Sequence, residues 1–226
     1  VRKLIQRIPW LVQLIIRLKK LIGLKKFVSS EDYWKERYKN NGNSGLGSYD
    51  HLAEFKAQII NDFIKEKKIA SVIEFGCGDG NQLKYFVIPK YLGVDISEDA
   101  IKMCKGIFLN DSSKSFVTVY EFKHESQAEL TLSLDVIYHL VEDEVYNKYM
   151  KQLFLSSLNY VIIYSSNEEK IYATDHVKGR KFTTWVENNF PEFDLINHIP
   201  NKFASGTRGN MVKSISDFYI YERKKG

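Results

Sequence analysis

The sequence predicts an α/β domain of the doubly wound type, a mostly parallel sheet with helices on both faces, and three observations carry that expectation. A β-branched run at residues 71–75 leads straight into alternating glycines at 76, 78 and 80, a strand-to-helix turn that lets main chain pass close to a nucleotide-type ligand. Residues 160–164 are continuously apolar, as expected of a strand covered on both faces. With 226 residues, 44% of them apolar and 14% aromatic, the chain can bury one full core and does not divide into two equal domains.

The first 28 residues predict a basic amphipathic helix. Leu4, Ile5, Ile8, Leu11, Val12, Ile15, Leu18 and Ile22 recur at the spacing of one helical face, opposite Arg2, Gln6, Gln13, Arg17 and Lys20. It is too short to span a bilayer: nine residues between Arg7 and Arg17 lack a charge, against the roughly 20 that a membrane helix needs. Arg17, Lys19 and Lys20 interrupt the apolar run and no small-residue cleavage site follows, which argues against a secretory signal. Two roles stay open. Residues 1–27 could lie on the inner face of a membrane, gaining about 1 kcal/mol per Lys or Arg near anionic lipid, or pack on the chain's own domain or a partner subunit. Residues 1–30 hold eight Lys or Arg and no acid, so the rest of the chain has 25 basic against 28 acidic residues. That near-neutral body argues against a nucleic-acid partner. Cys77 and Cys104 form no CxxC pair, so neither a disulfide nor a zinc site is expected and a reducing cytoplasm fits.

Residues 29–56 read as an entry segment. Its Gly/Ser/Asn-rich stretch at 43–48, bracketed by aromatics, predicts a mobile loop suited to a lid, or an ordinary surface connection. A helix follows at 51–67, then the strand and glycine turn. A second strand at 91–97 contains Asp95, 19 residues after Gly76 and placed to accept hydrogen bonds from ribose hydroxyls. The dinucleotide fingerprint needs a glycine where Asn81 stands, and Gly80 comes one residue early. Glu74 would repel a pyrophosphate but suits a cationic ligand. Further strands are expected at 116–122, at 132–140 with its turn, and at 160–164. A helix at 183–189 ends near Pro191, ahead of strands at 194–198 and 213–221.

Residues 74–80, acid-x-Gly-x-Gly-x-Gly, resemble motif I of class I S-adenosylmethionine (SAM) dependent methyltransferases, and Asp95 resembles the ribose-binding acid of their second strand. Leu132-Ser133-Leu134-Asp135-Val136-Ile137-Tyr138-His139-Leu140 resembles their motif IV. Upstream, Tyr33-Trp34-Lys35-Glu36-Arg37-Tyr38 and Asn43-Ser44-Gly45-Leu46-Gly47-Ser48-Tyr49 look like the entry segment of a bacterial subgroup associated with surface-polysaccharide and other glycan biosynthesis. The resemblance implies a Rossmann-like, mostly parallel seven-stranded sheet with an antiparallel closing strand over residues 57–226, and SAM as cofactor. It implies cofactor contacts from Arg37, Tyr38, Glu74, Gly76, Cys77, Gly78, Gly80, Asn81, Asp95, Ile96, Glu121, Phe122 and Asp135.

Methyl transfer from a sulfonium is a direct displacement, so no metal is called for and the protein mainly aligns the acceptor atom with the methyl, about 3–3.5 Å away. A hydroxyl acceptor benefits from a base, and the candidates are His139 and His176, with Asp135 on the pocket floor. Either histidine could equally be structural. Tyr49 and Tyr138 are candidate acceptor contacts. Arg180 and Lys181, in the cluster His176–Lys181, suit a phosphate or carboxylate on the acceptor, or simply form a solvated basic loop. The expected activity is O-methylation of a sugar or other small molecule. The alternatives are N-methylation of an amino sugar or small amine, and a non-catalytic, membrane-tethered scaffold. Asp135-Val136-Ile137-Tyr138 replaces the Asp/Asn-Pro-Pro-Tyr segment of many base and amide N-methylating enzymes, and the intact glycines and Asp95 weigh against a scaffold.

Overall fold

The structure, a computed structural model, describes residues 27–204 and 213–225; the helix expected within residues 1–28 lies outside them but for its last two positions. The described elements are α1 (Ser30–Lys39), α2 (Asp50–Lys67), β1 (Val72–Phe75), β2 (Tyr91–Asp95), α3 (Glu98–Ile107), β3 (Lys114–Thr118), β4 (Ala128–Leu134), α4 (Asp143–Leu155), β5 (Ser157–Ser165), α5 (Phe182–Asn189), β6 (Phe193–Ile199) and β7 (Asp217–Arg223). Short 3-10 turns occupy Leu46–Ser48, Gln82–Tyr85 and Ile137–His139.

The seven strands form one sheet in the order β3-β2-β1-β4-β5-β7-β6. β7 runs antiparallel to both of its neighbours, β5 and β6, while the pairs from β3 to β5 are parallel. This is the sheet the sequence analysis expected. The strand order reverses direction between β1 and β4, and in such sheets a crevice opens there beyond the carboxyl ends of the strands.

Alternation along each strand sends neighbouring side chains to opposite faces. In β5, Ile162 and Tyr164 join a core formed with Phe55, Ile60 and Phe63 of α2 and Ile101 of α3, whereas Val161 and Ile163 join one formed with Met150 and Phe154 of α4 and Phe182 of α5. Apolar burial on both faces explains why residues 160–164 carry no polar alternation. Capping follows local chemistry: Ser29 and Ser97 accept hydrogen bonds from Asp32 N and Ala100 N at the starts of α1 and α3.

Some boundaries differ from those expected. β3 ends at Thr118 rather than at residue 122, because the Glu121 carboxylate takes Thr118 N (2.8 Å) and Oγ1 (3.0 Å) and folds 118–122 into a turn. α2, expected over 51–67, begins one residue earlier, at Asp50. The stretch expected as a loop at 43–48 does connect α1 to α2, and it ends in the 3-10 turn Leu46–Ser48. Among the described residues no helix is long and apolar enough to cross a membrane.

Candidate functional site

Beyond the carboxyl ends of β1, β2 and β4 lies a cavity of about 330 Å³, roofed by α1 and the loop that follows it, a size typical of small-molecule sites. β1 supplies Glu74, which is 3% exposed and accepts a hydrogen bond from Tyr91 OH at 2.5 Å. Burial pushes its pKa up to about 7, against the opposing pull of that hydrogen bond and of the Lys56 charge. Asp95, at the end of β2, accepts Gly78 N (3.0 Å) and Ser97 N (2.9 Å), fixing the glycine turn against the start of α3. Its pKa is raised by burial despite these bonds. Gly76, Cys77, Gly78, Ile96 and Phe122 also border the cavity.

Two of the glycines are also required by the chain's own packing. Gly78 has φ +60°, and a Cβ there would lie 2.2 Å from Ser44 Oγ and 2.9 Å from Tyr38 OH. The entry segment therefore makes one close approach that demands glycine at this position. Gly80 does not border the cavity; a Cβ there would press on Cys104 Sγ (3.0 Å) and Phe108 (3.1 Å) of the α3 region, so its smallness serves helix packing.

Asp79 clasps the entry segment. Its Oδ2 accepts Ser44 N (2.9 Å) and Tyr49 OH (2.8 Å), Oδ1 accepts Asn81 N (3.0 Å), and Asp79 N donates to Ser44 Oγ (2.9 Å). Asn81 Nδ2 donates to Ser48 O at 2.8 Å. Tyr49 and Asn81 thus hold the roof and do not line the cavity. Arg37 is likewise turned to the loop, bonding Asn43 O (2.5 Å) and Oδ1 (3.3 Å), while Tyr38 does reach the cavity. Glu121, spent on Thr118, does not line it.

Asp135 borders the cavity but already holds three donors. Lys56 Nζ sits 3.0 Å from Oδ2, while Tyr138 OH (3.0 Å) and Ser216 Oγ (2.7 Å) donate to Oδ1. These three donors hold a non-glycine residue at φ +60°, a conformation that persists only where its surroundings over-determine it. A carboxylate so engaged is a structural anchor rather than a base, and Tyr138 is spent on it; it does not line the cavity.

His139 does border the cavity, with its ring edge-on to Trp34 at 5.0 Å between centroids. Its Nδ1 lies 3.1 Å from His176 O. A carbonyl only accepts, so Nδ1 carries the proton and Nε2 the lone pair. Burial, above all, lowers the ring's pKa to about 4. His176 does not line the cavity; its ring stacks on Tyr33 at 4.3 Å and it is the main-chain oxygen that serves His139. The cationic cluster lies outside the cavity lining. Arg180 Nη1 and Lys178 Nζ both pair with Asp143 Oδ1 (2.7 and 2.6 Å), Arg180 packs 4.2 Å above the Tyr146 ring, and exposed Lys181 precedes α5 away from the cavity.

Sequence reasoning missed Asp79 and Lys56. Lys56 is 0% exposed on the apolar stripe of Leu52, Phe55 and Ile60, and a lysine in such a stripe was the available signal. Asp79 occupies a variable position of the glycine turn, and no periodicity marks its partners 30 to 35 residues upstream.

No protein-family model and no curated protein sequence matches the chain. Solved structures do match in fold. N-methyltransferase NodS from Bradyrhizobium japonicum WM9, in complex with S-adenosyl-L-homocysteine, superposes with a TM-score of 0.66 at 11% identity, over 88% of this chain and 100% of NodS. The methyltransferase domain of bacterial CtHen1 gives 0.53 at 22% identity, over 76% of this chain and 100% of that one. Magnesium protoporphyrin IX methyltransferase ChlM from Synechocystis PCC 6803, with S-adenosyl-L-homocysteine bound, gives 0.57 at 13% identity, over 86% and 98%. The chain has the Rossmann-like fold these methyltransferases share.

Proposed function

We propose that the chain is a SAM-dependent methyltransferase that methylates a hydroxyl of an uncharged sugar or other small molecule, with bacterial surface-polysaccharide synthesis as its setting. One observation carries this: Glu74, the glycine turn, Asp95 and His139 border a single cavity at the strand-order reversal. The residues suit SAM. A carboxylate whose pKa is raised by burial gains from a neighbouring sulfonium. Asp95 retains lone pairs for ribose hydroxyls, and Ile96 and Phe122 offer apolar walls for a base. When bound, SAM supplies a methyl group already activated for direct displacement. His139 then receives the acceptor's proton at Nε2, and Trp34 and Tyr38 enclose the acceptor against water. The engagement of Arg180 and Lys178 with Asp143 favours an uncharged acceptor over the anionic one expected from sequence.

An amine acceptor is the second reading. Among the described residues, Glu74 and Asp95 border the cavity without an ion-pair partner and Lys148 is the one lysine in its lining, an arrangement that welcomes a cationic amine. We further propose a cytoplasmic location with membrane contact through residues 1–27; flotation on anionic liposomes should be lost when those residues are removed.

Titration calorimetry with SAM tests the cofactor. Mass spectrometry after incubation with SAM and neutral glycans, phenols and amino sugars then identifies the acceptor by a gained methyl. Absence of heat with SAM sinks the proposal.

A further inference from the structure

We propose that Arg180 is a positioning residue for His139: it bolts together the two segments whose contact fixes which ring nitrogen of His139 is free to take a proton. This rests on the catalytic role of His139 proposed above, but its structural half can be tested without any acceptor.

The two segments are the turn after β4, which carries His139, and the loop after β5, which carries the His176 carbonyl. Their meeting is not set by the fold alone, because both are irregular backbone joined by few main-chain bonds. Lys178 N donates to Tyr138 O at 2.8 Å, His139 Nδ1 meets His176 O, and the two imidazoles stack at 5.7 Å. The Arg180 side chain supplies the ties to the carbonyls after His139, while the Lys178 side chain reaches only exposed Asp143 at the start of α4. Arg180 Nε and Nη2 donate to Leu140 O (3.2 and 2.8 Å), Nη2 also reaches Val141 O (3.0 Å), and Nη1 pairs with Asp143. The carbonyls it takes belong to the two residues immediately after His139. A planar fork with five donors can satisfy all three partners at once, which a lysine cannot.

The loop side is equally fixed. Ile171 and Lys178 form an antiparallel bridge, and Gly179 N donates to Lys170 O at 3.0 Å. A Cβ at Gly179 would fall 2.6 Å from Glu168 O and Lys170 N, so the hairpin closes too tightly for any other residue. A rigid hairpin clamped by Arg180 therefore presents the His176 carbonyl to His139 Nδ1 at 3.1 Å. Loosening the clamp frees Nδ1, and the neutral ring then samples both tautomers; with the proton on Nε2 it cannot act as base toward the cavity.

The test is ¹⁵N NMR of the five histidines in the full chain, with His139 assigned from the signal lost in His139→Gln. The wild type should show one neutral tautomer, protonated at Nδ1. Arg180→Lys, which keeps the charge and packing stem, should show a mixture, as should Arg180→Ala. Lys178→Ala, which leaves its main-chain bond in place, should show the wild-type pattern. Once an acceptor is known, Arg180→Lys should lower kcat roughly tenfold, less than the 10²–10⁴ of a whole general base, with the SAM Kd within about twofold. A single Nδ1-protonated tautomer in both Arg180 variants overturns the proposal, as does an Nε2-protonated wild type. Failure of SAM to bind strikes the methyltransferase reading and leaves the tautomer result standing.

Discussion

At the scale of single residues, the cavity concentrates groups held away from their ordinary protonation. Glu74 titrates in the fold near 7, against 4.5 for its ordinary value. The raised pKa means that its contribution to stability is fully present below about pH 4.5 and is lost as pH rises through about 7, a difference of roughly 3 kcal/mol. Glu74→Gln should therefore raise the Tm of the unliganded protein at pH 8 and not at pH 4.5, while weakening SAM binding at pH 8; calorimetric scans at the two pH values and SAM titration at pH 8 check this. For His139 the sign is reversed. Its folded pKa, about 4, lies below its ordinary 6.5, so its contribution is present above 6.5 and is lost as pH falls toward 4. The ring stays neutral across the physiological range, and the acid limb that His139 gives to the kcat/KM profile for the acceptor, at saturating SAM, should lie below pH 5. His139→Gln should lower kcat by about 10²–10⁴ without changing SAM affinity. Lys56→Met leaves the Asp135 carboxylate without its cation in a largely buried site and should cost roughly 3–5 kcal/mol, recovered in large part by adding Asp135→Asn. Denaturant midpoints of the single and double variants measure the coupling.

At the scale of elements, the loop between α1 and α2 is attached to the sheet through polar contacts with the glycine turn rather than through buried apolar side chains. Ser44 and Tyr49 bond Asp79, Asn81 bonds Ser48, and Ser30 Oγ meets His139 O (2.7 Å) and Glu142 Oε2 (2.6 Å) at the other end of α1. Tyr120 OH donates to Glu31 Oε1 across the cavity mouth at 2.5 Å. A roof secured by a few polar contacts can open with little loss of buried surface, which is what entry to a covered site requires. Asp79→Ala removes three acceptances in one step. Hydrogen exchange should quicken in residues 43–49 while the amides of β1, β4 and β5 keep their protection, and SAM should dissociate faster.

At the scale of the whole molecule, a ligand that binds only the native state adds stability by mass action. SAM at 100 times its Kd should add about 2.7 kcal/mol, which for a chain of this size raises Tm by roughly 5–10 °C; a thermal melt with and without SAM measures it. The sequence by itself determined the sheet, the helices on its faces, and the presence of Glu74, the glycines and Asp95 at one end. Those features are written in local periodicity and in spacing within about twenty residues, which backbone sterics and apolar burial convert directly into strands, turns and faces. Tertiary structure alone decided which polar groups are free. Arg180 and Lys178 look available in sequence and are consumed by Asp143 about 35 residues upstream, and Asp135 is taken by Lys56 and Ser216, each about 80 residues away. Hydrogen-bond partnership depends on which loops meet in space, and no local pattern encodes that meeting.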